Sequence, residues 1–217
     1  MSWCPASILV CFADPSESKH LRRIRPDIPL LHTGMGPKNA RQALERYLAT
    51  RKPDRLATII SSGFAGGLNP DLPKNQLVVD VEQQELLPSS REANIRSGTF
   101  HSVDRIAITQ DDKSLLWNEF GRDAVEMESS AIKEVARSYN IECLTLRIIS
   151  DTAGEDLPLD FNTLMTSEMK LSLLSLTWSL ITKPTQIPGL ARFGKSVNQS
   201  AIELGEALSQ LIPLADR

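Results

Sequence analysis

The feature that most constrains the fold is the alternation of short apolar runs with amphipathic segments along the chain. Ser7–Ala13 is continuously apolar, which is typical of a strand covered on both faces of a sheet. After Gly36-Pro37, apolar residues recur at intervals of three and four, which predicts a helix with one buried face. Strands that alternate with helices in this way predict a single α/β domain over residues 1–217, with helices covering its sheet.

The same patterns place the remaining elements. The other predicted strands are Ile28–His32, Leu56–Ser62, Gln76–Val81, Arg105–Thr109 and Ile141–Ser150. Helices are predicted after Asp14-Pro15, from an Asp111 cap to Gly121, over Ala131–Tyr139, and at the end of the chain with the apolar stripe Val197, Ala201, Leu204, Leu208 and Leu211. The apolar segment Leu171–Ile181 is predicted to be a core or interface helix, and the polar residues 82–98 an excursion or interface loop.

Composition excludes several classes of function. The formal net charge of -3 leaves no basic stripe for a nucleic-acid partner. The most apolar segment is well short of the roughly 20 residues of a membrane helix, so no membrane insertion is expected. The N-terminus lacks the pattern of a signal peptide, so a cytoplasmic location is expected. Cys4, Cys11, Cys143 and the 3 histidines have no ligand spacing, so we expect buried reduced thiols and no metal site.

Carboxylates stand where predicted strands end or helices begin. Glu17 follows the first strand, Glu126 and Glu128 stand where a buried turn should meet a helix, and Asp151 ends the run Leu146–Ser150. Because ligands of α/β proteins bind at the carboxyl ends of strands, these acids are candidates for bond-making chemistry in one cleft. The alternatives are a solvated acid favouring the helix dipole for Glu17, a first-turn helix acid for Glu128, and a helix cap or ion-pair partner for Asp151.

Two glycine-containing loops follow predicted strands. The loop that opens at Gly63 suits backbone N–H groups facing an anion, a ribose or a base, although a plain tight turn fits equally well. The pair Gly34-x-Gly36 lacks the third glycine of a dinucleotide fingerprint, and no acid-terminated second strand follows at the expected distance. A Rossmann-type cofactor site is therefore excluded.

Four motifs together resemble a known superfamily. They are Thr33-Gly34-Met35-Gly36, Ser62-Gly63-Phe64-Ala65-Gly66-Gly67-Leu68, Val125-Glu126-Met127-Glu128 and Arg147-Ile148-Ile149-Ser150-Asp151. Their order and spacing resemble the purine nucleoside phosphorylase/uridine phosphorylase superfamily, over nearly the whole chain. Within it, the chain looks most like methylthioadenosine/S-adenosylhomocysteine nucleosidases and the short hopanoid-associated phosphorylases. Leu157-Pro158 and the tail around Lys183 to Leu190 are similar to the latter group.

The resemblance implies both a fold and a kind of ligand. The fold is a three-layer α/β/α arrangement with a central mixed β-sheet, of the phosphorylase/hydrolase type. The expected ligand is a small-molecule purine nucleoside, bound without a metal or an organic cofactor. A homodimer or higher homo-oligomer is also implied, and the surplus of apolar helix surface agrees with it.

The resemblance further assigns roles to residues. Asp151 matches the acid that assists protonation of purine N7, and Glu128 matches the residue that binds the ribose 2′ and 3′ hydroxyls. Met127 is expected to pack on the sugar, and Glu126 is expected to be a hydrogen-bonding neighbour of Glu128. Further matches to substrate-binding positions are Met35, Gly63, Phe64 and Ser150. Phe100 matches loosely, with stacking on the purine and a core position equally open.

The nucleophile is the remaining question. In the phosphate-using members, arginines occupy the positions that hold Glu17 and Ser61 here. A carboxylate at position 17 would repel phosphate and is suited to accept a proton from water, as in the nucleosidases. Asp14-Pro15, however, looks more like the phosphorylase version of this loop, and Phe64 replaces a small hydroxyl residue. The sequence therefore predicts a purine nucleosidase acting on a 5′-modified adenosine, with a phosphorylase or a catalytically silent nucleoside-binding protein as alternatives.

Overall fold

The computed structural model describes residues 7–51, 56–86, 94–164, 166 and 187–212. Its strands are β1 (Ile8–Phe12), β2 (Leu30–His32), β3 (Thr58–Gly67), β4 (Leu77–Asp80), β5 (Ile95–Gly98), β6 (Phe100–Ser102), β7 (Ala124–Glu126) and β8 (Glu142–Asp151). Its α-helices are α1 (Pro15–Ile24), α2 (Pro37–Thr50), α3 (Gln110–Phe120), α4 (Ser129–Ser138), α5 (Phe161–Leu164) and α6 (Ile187–Leu211). A 3₁₀ segment occupies Val81–Leu86.

These strands form one mixed sheet. Six of them lie in the order β2-β1-β3-β8-β4-β5, and β7 joins β3 to β6. The β4–β8 and β3–β7 pairs are antiparallel, whereas the other pairs are parallel. The central sheet predicted from the sequence resemblance is confirmed.

Helices cover the sheet on both faces. On one face, Leu21 of α1 and Leu204 of α6 pack in the same apolar cluster as Val10 of β1. On the other face, Leu44 of α2 and Ile132 of α4 pack with the alternate β1 side chains. Since β1 is buried on both faces, its continuously apolar sequence reflects its place inside the sheet. The three-layer prediction is confirmed.

One predicted strand and one predicted helix cap are wrong. Arg105–Thr109 is irregular chain rather than a strand, and the strand in this region is β6. The cap of α3 is Thr109 rather than Asp111, because the Thr109 hydroxyl oxygen accepts a 3.1 Å hydrogen bond from the Asp112 N–H. Arg105 pairs with Asp112, so the polar residues of this segment serve the helix start.

Residues 82–98 are more ordered than predicted where the structure describes them. β5 adds a parallel edge strand to β4, and four residues are too few to give a periodic signal. Likewise, residues 124–126 form a strand beside β3 rather than a turn. The predictions for Cys4, Leu171–Ile181 and residues 183–186 fall outside the described residues. In the described part, no helix is both long and apolar enough to cross a membrane.

Candidate active site

A cavity of about 390 Å³ opens where β1, β3 and β8 end. The start of α1, the β7–α4 junction and the end of β8 each bring carboxylates to its wall. The predicted site residues that line it are Glu17, Met35, Phe64, Glu126, Met127, Glu128, Ser150 and Asp151. The structure therefore brings together the three acidic segments that the sequence singled out.

Arg147 organises the buried charges at this site. Its guanidinium comes from β8, is 1% exposed, and lies with Nη2 2.6 Å from Glu126 Oε2 and 3.3 Å from Glu128 Oε2. Burial disfavours the charged guanidinium, but Glu126, Glu128 and Glu17 together raise the pKa of Arg147 above its ordinary value. One arginine thus compensates a cluster of three buried carboxylates.

Glu126 anchors the start of α4. Its carboxylate accepts hydrogen bonds from the Glu128 N–H (2.9 Å) and the Ser129 N–H (2.7 Å), and from the Ser102 and Ser129 hydroxyls. Burial acts to raise the pKa of Glu126, but Arg147 and the two hydroxyls outweigh it and lower that pKa. This arrangement fits a residue that orients its neighbours.

Glu128 is held between Arg147 and the Gly34-containing loop. Its Oε1 accepts a 2.9 Å hydrogen bond from the Gly36 N–H, whose residue has a φ of 85°. Burial raises the pKa of Glu128 to about 7, with Arg147 opposing and Glu126 reinforcing the shift. The side chain can therefore change charge near neutral pH.

Glu17 is held by two backbone donors. Its Oε1 accepts from the Phe64 N–H and its Oε2 from the Asp14 N–H, both at 2.9 Å, the second as part of the α1 capping box. Burial raises the pKa of Glu17 despite the nearby Arg147 and these N–H groups. Each carboxylate oxygen has a second lone pair, so a proton or a water can still be bound.

Gly63 allows Glu17 and Arg147 to approach each other. Its φ is +140°, and a Cβ there would lie 2.5 Å from Glu17 Oε1 and 2.8 Å from Arg147 Nη1. Gly63 is absent from the described cavity wall, so its part here is to leave room behind that wall.

Asp151 lies at the end of β8, where one of its carboxylate oxygens is hydrogen-bonded and the other forms an ion pair. Its Oδ1 accepts a 2.6 Å hydrogen bond from the Ser150 hydroxyl. Its Oδ2 lies 2.6 Å from Nζ of Lys113, a fully buried lysine of α3. Sequence analysis missed this partner, because Lys113 stands in a charged helical segment that looks solvent-exposed.

The remaining wall is mostly apolar. Phe100 packs in the core with Ala65, Val78 and Ile149, which is the core alternative left open for it. The apolar lining beyond the acids comprises Val103, Ile106, Ala107, Leu157, Phe161, Phe193 and Val197. Among the described residues, no group of three or more His, Cys, Asp or Glu side chains is arranged to hold a metal.

The acids gather at the strand ends of this α/β architecture, which is the edge at which α/β proteins bind ligands. Residues 81–181 match the family model of the phosphorylase superfamily. Over that range the chain is similar to members of that superfamily, and the resemblance recognised from its motifs is confirmed.

Curated relatives carry nucleosidase names. A 5′-methylthioadenosine/S-adenosylhomocysteine nucleosidase of Mycobacterium tuberculosis is 36% identical over 72 residues, 33% of this chain and 28% of that protein. The corresponding enzyme of Glaesserella parasuis is 25% identical over 69% of this chain and 81% of its own length. The match therefore spans about a quarter of the mycobacterial relative.

Solved structures share the fold. The 5′-methylthioadenosine/S-adenosylhomocysteine nucleosidase of Helicobacter pylori, complexed with a substituted pyrrolidin-3-ol, superposes with a TM-score of 0.66 at 17% identity. That comparison covers 96% of this chain and 98% of the other. It confirms the predicted architecture.

Proposed function

We propose that the chain is a purine nucleosidase, an N-glycosyl hydrolase that releases adenine from an adenosine modified at its 5′ position. The observation that carries this proposal is the meeting of Glu17, Glu128 and Asp151 at one cavity of about 390 Å³. The nucleosidase names of the relatives support the same class of reaction.

Each acid has a role that suits its surroundings. Glu17, whose pKa is raised by burial, accepts a proton from the attacking water. Glu128 accepts hydrogen bonds from the ribose hydroxyls and stabilises positive charge at the anomeric carbon, with Met127 against the sugar. Asp151 faces the departing purine and assists protonation of N7. The apolar lining suits an uncharged 5′ substituent such as a thioether. We expect a homodimer or a higher homo-oligomer.

The charges of the cavity favour water over phosphate as the nucleophile. Five carboxylates line the described wall, contributed by Asp14, Glu17, Glu126, Glu128 and Asp151. Arg105 is the one cation among the described lining residues, and both of its terminal nitrogens lie 2.6 Å from Asp112 oxygens. A phosphate dianion would meet repulsion without a free cation among these residues.

Adenine release from 5′-methylthioadenosine is expected to proceed equally in buffers with and without phosphate. The measurement is chromatography of both products, with free methylthioribose expected in each case. Strict dependence on phosphate, with a sugar 1-phosphate as product, would establish a phosphorylase instead. Tight nucleoside binding without turnover would establish the silent binding protein, and the Asp151→Asn variant controls for contaminating activity.

Nucleoside affinity is expected to rise between pH 6 and pH 8. The pKa of Glu128 is raised to about 7, so the group is mostly protonated below that pH and a carboxylate above it. Only the carboxylate accepts hydrogen bonds from both ribose hydroxyls with full strength. Calorimetric titration with a non-hydrolysable adenosine analogue measures the change, and Glu128→Gln should flatten the profile. A flat profile in the unaltered protein contradicts the assignment.

A further inference from the structure

Lys113 is fully buried behind the cavity wall. Its Nζ lies 2.6 Å from Asp151 Oδ2 and donates to the backbone oxygens of Thr152 at 2.8 Å and Glu155 at 2.7 Å. The ammonium group therefore donates two hydrogen bonds to the loop that follows β8 and forms an ion pair with Asp151, whose Oδ2 accepts no hydrogen bond from the described residues. Complete burial is rare for lysine and requires such pairing.

Stability alone does not account for this ion pair. Replacing a buried ion pair by apolar side chains of similar volume is often neutral or stabilising. Other contacts also stabilise this loop. The Glu155 carboxylate accepts hydrogen bonds from the Thr152 N–H at 2.9 Å and from Lys74 Nζ at 2.8 Å. What Lys113 adds is a direct contact to the Asp151 carboxylate.

That contact completes the fixation of Asp151. The Ser150 hydroxyl holds Oδ1 and the Lys113 ammonium holds Oδ2, so rotation of the carboxylate would break one charged contact or one 2.6 Å hydrogen bond. Lys113 is absent from the described cavity wall, whereas Asp151 belongs to it. We propose that Lys113 is a positioning residue that fixes the Asp151 carboxylate in one orientation toward the departing purine. This inference rests on the proposed nucleosidase function.

The Lys113→Met variant is expected to lower kcat for adenine release at least about tenfold, with KM within about threefold of the unaltered value. A misplaced catalytic group costs rate in this range, and the lysine itself does not touch the bound nucleoside. Because Lys113 acts through Asp151, the variant K113M/D151N should lose no more activity than D151N alone. Lys74→Met is the matched control, since Lys74 contacts the same loop but not Asp151, and kcat should stay within about twofold.

Two results would overturn the proposal: independent, multiplying losses in K113M and D151N, or a raised KM at unchanged kcat in K113M. If K113M does not fold, K113R displaces the cation and supplies the same kcat and KM comparison.

Thermal unfolding of K113M, D151N and the double variant tests the same contact without a measurement of activity. We expect D151N to restore thermal stability when it is added to K113M. If the losses of stability in the two single variants simply add up in the double variant, the two residues are not coupled. Should the unaltered protein release no adenine, the proposed function fails while this unfolding cycle still tests the contact.

Discussion

Replacing Glu17 by Gln is expected to lower adenine release by about 10²–10⁴-fold, the range for loss of a positioned general base. Gln keeps the volume of the side chain but cannot take a proton from water. Nucleoside binding should persist, because Glu128 and the apolar wall are unchanged. The measurement is kcat for adenine release beside the dissociation constant of a non-hydrolysable analogue.

Glu45→Gln is the matched control for this variant, since Glu45 is an exposed acid of α2. Its kcat should equal that of the unaltered protein. Retention of more than a tenth of the activity by Glu17→Gln would remove Glu17 from the base position. The capping role at the start of α1 would then be its whole function.

Replacing Arg147 by Met is expected to lower the free energy of unfolding by about 3–5 kcal/mol, the range for removing one partner of a buried ion pair. Glu17, Glu126 and Glu128 would each lose the cation that compensates them. The loss should shrink at acidic pH, because protonated carboxyl groups no longer need that cation. Urea unfolding at several pH values measures both effects.

Arg41→Met provides the comparison for Arg147, because Arg41 pairs with Glu134 at the protein surface. Its unfolding midpoint should barely move, as expected for a solvent-screened pair. An equally small effect for Arg147→Met would mean that the three carboxylates are protonated in the folded protein. The cluster would then be held by hydrogen bonds rather than by charge.

Much of the fold follows from local pattern. The buried strand β1 could be predicted because it is apolar at every position, and β8 because most of its buried positions are apolar. The end of α3 at Gly121 could be predicted because a left-handed helix end favours glycine. β5 and β6 could not, because strands of four and three residues at the side of a sheet carry too few positions for a pattern. Their strand pairing comes from neighbours distant in sequence.

The residues of the site also divide into those that the sequence could predict and those that it could not. The four acids stand next to strand ends and helix starts, which are visible in the sequence. Arg147 stands as a charge among the apolar residues Leu146, Ile148 and Ile149. Its partners, however, come from β7 and from the residue that precedes α4, and only the fold brings them to Arg147. Lys113 gave no local signal, since only tertiary packing turns that face of α3 toward β8.

The absent side chain at position 63 has a consequence for how this protein can change. A side-chain carbon there would lie within 3 Å of both the Glu17 carboxylate and the Arg147 guanidinium. Even the smallest side chain at position 63 would therefore force these two groups apart. The close approach of Glu17 and Arg147 thus depends on a position without a side chain.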